Sequence, residues 1–407
     1  MAADQVTVHR GRWTLDDRLA AGLRELPVEV PPGTAALTAR LTYDAGVLDL
    51  GCHGAVGFRG WSGGARGEFT IAADWATPGY LPGAPEPGMW QVWLRLHRIP
   101  PGGVEFELTV ATSRTPPPRS PEPPWPPAPR RPARREPPAP AGLRWLAGDL
   151  HAHTVHSDGR LTVPELACLA ASRGLDFLAV TDHNTVSHHA ELPAAGAHAG
   201  IVLVPGQEVT TDLGHANVFG PTGWVDFRRP AGDWAAFAAA HGGLISINHP
   251  LGSDCAWRQP LTDRPRLAEI WHSDWRDRRF GAPLAWAQAW RPDVVPVGGS
   301  DFHDPAQDKR LGAPTTWLLT ESDDVAGVLG ALAAGRTAVS AGPPGSMDAP
   351  LLLRLGDELL ALDADGCVLV RPDGRRSVIR GTRMRVPATA GAHRLESHEN
   401  EVIALCG

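Results

Sequence analysis

The sequence predicts an α/β protein with a β-rich leading segment, and three observations carry that prediction. Between Leu143 and about Ser340, apolar runs of strand length alternate with helical stretches whose ends are legible. Residues 1–113 instead break into short runs between Gly and Pro clusters. A proline tract separates the two patterns: 13 of the 25 residues from Pro116 to Pro140 are proline.

In chain order, "ALTARLTYD", "VLDLGCHGAVGF", "EFTIAA", "MWQVWLRLHRI" and "VEFELTV" suit a β-sandwich or jelly-roll domain over residues 1–113. Such a domain serves as a ligand-binding or oligomerisation module, or as a scaffold. Residues 114–142 follow. Proline fixes φ and removes donors, so this stretch predicts extended polyproline II at about 3.1 Å per residue. It reads as a semi-rigid linker, or as a ligand for a proline-recognition domain.

Over residues 143–342, "RWLAGDLHAH", "LDFLAVTDH", "GIVLVPGQE", "GGLISINHP", "LAEIWHS" and "VVPVGGSDFH" read as strands, each ending in polar residues. "LTVPELACLAASRG" predicts a helix with Thr162 as N-cap, Glu165 as capping-box partner and Gly174 as stop. "GDWAAFAAAHGG" predicts a second, from Asp233 to Gly242, and "SDDVAGVLGALAAG" a third, from Ser322 to Gly335. Buried strands alternating with helices imply a parallel sheet or barrel. Residues 343–407 read as a small β-rich C-terminal segment.

Composition narrows the function. A formal charge of −7 argues against nucleic acid as the main partner. No apolar run approaches the roughly 20 residues of a membrane span, and "MAADQVTVHRGRW" shows no basic-then-apolar leader. Cys52, Cys168, Cys255, Cys367 and Cys406 are scattered and form no CxxC. They argue against a disulfide framework or a thiolate zinc site and suit a reducing cytoplasm. Lys309 is the only lysine, so chemistry that needs one has a single candidate.

The ligand-grade residues fall at the predicted strand ends. His151 and His153 close the first, Asp182 and His183 the second, and Glu208 the third, with His215 following. His249 closes the fourth, and Asp301 with His303 the last. The carboxyl ends of parallel strands are where active sites assemble. Residues i and i+2 of a strand share one side, so His151 with His153, and Asp301 with His303, can grip one cation together. Imidazole and carboxylate without thiolate suit Zn²⁺, Mn²⁺ or Fe²⁺. Taken singly each signal has a plainer account: "SDG" is turn chemistry, "TDHN" a helix cap, and an isolated buried histidine a hydrogen-bonded one. Nine suitable residues in one segment are what point to metal.

Together "DLHAHTVHSDG", "AVTDHN", "PGQEV", "GHANVFG", "INHP" and "GGSDFH" resemble the PHP (polymerase and histidinol phosphatase) superfamily. With "GFRGWSGGARGEFTIAADWATPGY" upstream, the chain is most similar to its CehA/McbA-like metallohydrolase branch. The resemblance implies a distorted (β/α)7 barrel holding two to three divalent ions. His151, His153, Glu208 and Asp301 would hold the first. Glu208 would bridge to a second, completed by His215 and His249. A third would sit among Asp158, His183 and His303. Amidohydrolases also open with HxH, but many bridge their metals with a carboxylated lysine. Lys309 lies beyond the last ligand strand, which leaves the bridging role to Glu208.

Two cations sharing a water supply hydroxide near neutral pH. The expected activity is therefore metal-dependent hydrolysis, with Asp301 managing the proton of that water. His156, then His188 or His189, are the candidates to protonate the leaving group; His272 would line the pocket or simply pack beside Trp271. A phosphoesterase acting on a small organic phosphate needs fixed cations, for which Arg160, Arg258 and Lys309, with Arg310, are placed after ligand motifs. Trp257, Trp271 and Trp275 suit the alternative, an aryl ester or carbamate hydrolase. A non-catalytic metal-binding scaffold is a third reading. No polymerase partner is expected, and oligomeric state is not legible.

Overall fold

Alternation along the first strands builds two four-stranded antiparallel sheets around one apolar core. The computed structural model describes residues 5–119, 121, 123–342 and 349–407. The remainder includes the starts of the expected first domain and C-terminal segment and two linker positions, which lie outside the described residues. The strands are β1 (Gln5–Trp13), β2 (Leu23–Val30), β3 (Ala36–Tyr43), β4 (Val47–His53), β5 (Phe58–Gly63), β6 (Glu68–Ala72), β7 (Gly88–Arg98) and β8 (Val104–Ser113). They order as β1-β8-β3-β6 and β2-β7-β4-β5. Every second residue of β8 points inward, and Phe106, Leu108 and Val110 meet Leu50, Trp90 and Val92 from the other sheet. A short helix, α1 (Leu15–Ala20), starts at a Thr14–Asp17 capping box that the strand-only reading missed.

The chain divides into two units. The first holds residues up to Pro124 together with Val155–Gly159 and Asp182–His188; the second holds the remainder.

The second unit continues with β9 (Arg144–Asp149), α2 (Val163–Ser172), β10 (Phe177–Val180), α3 (Leu192–Ala199), β11 (Val202–Thr211) and β12 (Gly214–Phe219). After these come α4 (Ala231–Ala240), β13 (Leu244–Ile247), β14 (Leu267–His272), α5 (Ala282–Trp290), β15 (Val295–Gly299), β16 (Thr315–Thr320), α6 (Val325–Ala333) and β17 (Thr337–Ser340). The C-terminal strands are β18 (Leu351–Leu355), β19 (Glu358–Leu362), β20 (Val368–Val370), β21 (Arg376–Val378), β22 (Arg383–Pro387), β23 (His393–Glu396) and β24 (Val402–Cys406). A mixed sheet runs β15-β14-β13-β12-β11-β10-β9-β16-β17-β24-β23-β20-β21, beside a three-stranded β18-β19-β22. The fold is thus mixed α/β.

Strict strand–helix alternation does not hold. β9, β10 and β11 are parallel, as are β13, β14 and β15, but β12 is antiparallel to both of its neighbours. Gly214 (φ +116°) opens β12 three residues after β11 ends, so β11 and β12 form a hairpin and not a βα unit. The run closes on itself at one point. Ala152 bridges Phe302 in parallel, His153 N–H donates to Phe302 O (2.9 Å), and Asp149 accepts from Ser300 N–H (3.0 Å).

The proline tract from Trp125 onward is not a bare spacer. Arg131 donates to the carbonyls of Leu175 and Gly200 and to the buried Asp176 carboxylate (2.8 Å). Arg134 donates to Trp145 O, Arg135 to Ala349 O, and His198 Nε2 lies 2.8 Å from Pro126 O. Arginines between the prolines supply the donors that proline lacks, and they strap residues 125–142 along the second unit. Among the described residues, no helix is long and apolar enough to cross a membrane.

Candidate metal centre

The bridge between Ala152 and Phe302 explains the HxH and DxH spacing. Both central residues are fully buried and pack in one apolar cluster with Leu166, Leu178 and Val180. Their neighbours at i±1 point the other way. His151 and His153 thereby face Asp301 across the seam, and Glu208 reaches the same point from β11.

His151 Nε2 lies 3.3 Å from Glu208 Oε1 and 3.3 Å from Asp301 Oδ1. His153 Nε2 lies 3.5 Å from Glu208 Oε2 and 3.1 Å from Asp301 Oδ1. A second group meets at the other side of Glu208, whose Oε1 lies 3.2 Å from His215 Nδ1 and 3.2 Å from His249 Nε2. Asn248 Nδ2 donates to that oxygen (2.8 Å). His215 stands on the hairpin strand β12, where it pairs with Thr210 of β11.

The four atoms of the first group fit a cation better than they fit one another. His151 Nε2 is buried and makes no hydrogen bond, although two carboxylate oxygens lie close. Around an ion with metal–ligand distances of about 2.0–2.1 Å, tetrahedral ligands sit about 3.3 Å apart, the separation seen here. Two of these residues also carry unusual backbone: Asp301 has φ 51° and His249 φ 24°. Non-glycine residues rarely adopt this region, and surrounding structure must hold them there.

The charges agree with an acceptor-rich site. Burial disfavours the imidazolium of His151, yet the carboxylates of Glu208, Glu269 and Asp301 outweigh it and hold its pKa well above the usual histidine range. Burial likewise pushes the Asp301 carboxyl up, but His151, His153 and His272 outweigh it and hold it well below the usual carboxylate range. Lys309 Nζ donates to Asp301 Oδ2 (2.6 Å), and His272 Nε2 lies 3.4 Å from the same oxygen.

Glu269 and Asp149 were missed by sequence reasoning. Glu269 Oε2 accepts the His249 N–H (2.9 Å), and its Oε1 faces His151. Asp149 accepts the backbone N–H groups of His151, Ser300 and Gly312. Both are inward carboxylates in otherwise apolar strands, "GDL" and "LAEIW", and that is the signal that could have found them.

In the first unit, His183 Nε2 lies 3.6 Å from Asp158 Oδ1. His156, read as an acid at the mouth or an exposed loop histidine, is buried, and its Nδ1 lies 2.7 Å from Ser187 Oγ. His188 is buried against Asp182 (3.1 Å), and in the second unit His189 Nε2 meets Gly206 O (2.9 Å). His303, also in the second unit, stacks on His153 with ring centroids 4.0 Å apart.

Of the expected anion clamps, only Lys309 touches the first group. Arg258 donates to the carbonyls of Asp212 and Asp254, which ties down the turn between β11 and β12. Arg160 is exposed, 3.6 Å from Asp304. A cavity of about 190 Å³ adjoins the two groups, lined by His249, Glu269, His272, Asp274, Leu251 and Trp275, among others. Trp257 and Trp271 are instead buried in packing, Trp257 against Trp234 and Trp290.

No family model matches the chain. Over 64 residues, 16% of this chain and 23% of the relative, it is 39% identical to a 5'-3' exoribonuclease of Haemophilus influenzae. Over 70 residues, 17% of this chain and 25% of the relative, it is 43% identical to a 3',5'-nucleoside bisphosphate phosphatase of Chromobacterium violaceum. The chain spans about a quarter of the length of these curated relatives. Among solved structures it is similar to a two-domain protein of Bacteroides vulgatus that contains a predicted PHP-like metal-dependent phosphoesterase. That likeness has a TM-score of 0.43 and 17% identity, and covers 68% of this chain and 90% of the other.

Proposed function

We propose that the chain is a metal-dependent hydrolase of the PHP type, acting as a phosphoesterase on a small organic phosphate. The convergence of His151, His153, Glu208 and Asp301 at 3.1–3.5 Å carries the proposal. Local likeness to a nucleoside bisphosphate phosphatase supports the phosphate. The proposal extends to the finer fold reading, a distorted (β/α)7 barrel with β12 turned antiparallel, and to the CehA/McbA-like branch. It includes a cytoplasmic setting.

Divalent cations such as Zn²⁺, Mn²⁺ or Fe²⁺ lower the pKa of a bound water from about 15.7 towards neutrality and polarise a substrate oxygen. The remaining work falls to the chain. His151, His153 and Asp301 would hold one ion, His215 and His249 another, with Glu208 shared between them; Asp158, His183 and His303 are the sequence-based candidates for a third. Asp301, whose Oδ2 accepts from Lys309 Nζ, is the sequence-based candidate to take up a proton at the reacting centre. The Lys309 ammonium offers a phosphoryl oxygen a fixed cation that sits beside the ligands. His156 is the sequence-based candidate to protonate the leaving group; its Nδ1 lies 2.7 Å from Ser187 Oγ, an arrangement that orients the ring.

One observation favours the second reading, an aryl ester or carbamate hydrolase: Trp275, Leu251 and Pro283 give the adjoining cavity an apolar wall. The two readings separate in one experiment, kcat/KM for nitrophenyl phosphate and nitrophenyl acetate with Mn²⁺ or Zn²⁺, with and without chelator. Chelator-sensitive preference for phosphate is expected. Preference for acetate would transfer the protein to the second reading, and no metal-dependent turnover of either would overturn both.

A further inference from the structure

We propose that Arg66 is a positioning residue for the Asp158–His183 pair, and so for a metal ion bound by that pair. Asp158 follows β9 by nine residues and His183 follows β10 by three, so each sits on its own loop. Both loops, Val155–Gly159 and Asp182–His188, belong to the first unit.

Two bonds tie the loops to each other. Ser157 Oγ donates to Asp182 Oδ1 (2.6 Å), and His156 Nδ1 lies 2.7 Å from Ser187 Oγ. Ser157 and Asp182 immediately precede Asp158 and His183. Their bond therefore fixes the separation of the next two side chains, 3.6 Å between His183 Nε2 and Asp158 Oδ1.

The tied pair is then clamped from the β unit at two places. Arg66, in the turn between β5 and β6, donates from Nη1 to Ser157 O (3.1 Å) and from Nη2 to Val155 O. Its planar fork spans two carbonyls of one loop, a geometry that lysine cannot reproduce. Gly79 holds the other loop. Its N–H donates to Ser187 Oγ (3.0 Å), and its carbonyl accepts from Thr185 Oγ1 (2.8 Å). A side chain at Gly79 is not tolerated: φ is +99°, and a Cβ would stand 2.9 Å from His156 O and 2.7 Å from Trp61 O.

Burial makes the clamp expensive to keep for packing alone. Desolvation lowers the Arg66 pKa even though Tyr80, Asp182 and Asp158 lie close enough to oppose it. A guanidinium aimed at two carbonyls beside a ligand pair is the kind of outer-shell support whose loss weakens metal affinity about 10- to 100-fold.

This inference rests on the metal-dependent reading, and the test separates the two. Full-length wild type, Arg66→Ala, Arg66→Lys and the control Arg40→Ala are titrated with Mn²⁺ and then counted for bound metal per chain. Arg40 makes an exposed ion pair with Glu68 on the same unit and touches neither loop. Wild type and control are expected to bind three ions. Both Arg66 variants should keep two and bind the third about 10- to 100-fold more weakly. Wild-type affinity for all three ions in Arg66→Lys would overturn the inference. So would a wild type that binds two, while leaving the proposed function standing. If Arg66→Ala fails to fold, Arg66→Lys with an unchanged melting temperature carries the test. No metal bound by wild type would overturn the proposed function itself.

Discussion

Glu269 Oε1 lies 3.0 Å from Nδ1 of His151, the ring whose other nitrogen faces Glu208 and Asp301. A carboxylate at Nδ1 places the ring proton there and leaves the Nε2 lone pair aimed at the cluster. The same carboxylate, through its second oxygen, holds the backbone of His249. One residue thus orients a histidine of each group.

Glu269→Gln is therefore expected to lower metal affinity about 10- to 100-fold while the chain stays folded. Competition with a chromogenic chelator measures it. Wild-type affinity in the variant would remove Glu269 from the support of the site.

Asp301→Asn should cut kcat at least about 100-fold, in the range typical of a lost general base. The assay needs saturating Mn²⁺ and a parallel metal count. Near-normal turnover with metals retained would take the proton role away from Asp301.

Substrate recognition divides the three basic candidates. Lys309→Met should raise KM for a phosphate ester about tenfold, through the loss of a charge-assisted contact, and leave an acetate ester little changed. Arg160→Ala and Arg258→Ala should stay within about twofold on both, because one is exposed near Asp304 and the other ties a turn. Steady-state kinetics on the two nitrophenyl esters distinguishes these outcomes.

The metal-free protein should depend on pH in a defined direction. Burial opposes the imidazolium of His249 as it does that of His151, but Cys255, Glu208 and Glu269 outweigh it and hold the pKa well above 6.5. A raised histidine pKa stabilises the fold fully below the unfolded value and ceases to do so as pH rises through the folded one. Asp301, held below 3.8, contributes above that value and loses its effect as pH falls through its folded pKa. Chelated protein is thus expected to melt highest between about pH 4 and 6.5, and progressively lower towards pH 9. Excess Mn²⁺ should reverse the trend, because the ligands bind metal only when deprotonated. Calorimetry across the pH series reads both slopes, and a flat chelated profile would contradict the first.

Local signals made much of this legible. The Thr162–Glu165 capping box stands where the S/T-x-x-E pattern put it, and α2 gives way to Gly174 at φ +82°. α6 is capped by Asp324, two residues after the expected Ser322, since Asp324 is the side chain that accepts the Gly327 N–H. The i, i+2 logic of His151 and His153 also holds, because it needs only strand geometry. Long-range facts were hidden. Nothing local distinguishes the β11–β12 hairpin from a βα crossover until Gly214 is seen at φ +116°, and β12 pairs next with the distant β13. Glu269 read as one polar position inside a strand, because its partners lie 118 and 20 residues away. The linker reading gave the arginines of the proline tract no role for the same reason; Asp176, which receives Arg131, is 45 residues on.

The seam between Ala152 and Phe302 sits under the first group, with His151 and His153 on one side and Asp301 on the other. Cations gripped by both sides would rivet it shut. Without them the strands there are held by one bridge and a few side-chain bonds, and local opening begins where such bonds are few. The His153 amide, bonded to Phe302 O, is the reporter. Its hydrogen exchange should quicken on chelation well before that of amides in the β11–β12 ladder. A copy that loses its ions would then unzip at the place where it worked, which ties the lifetime of the molecule to its loading.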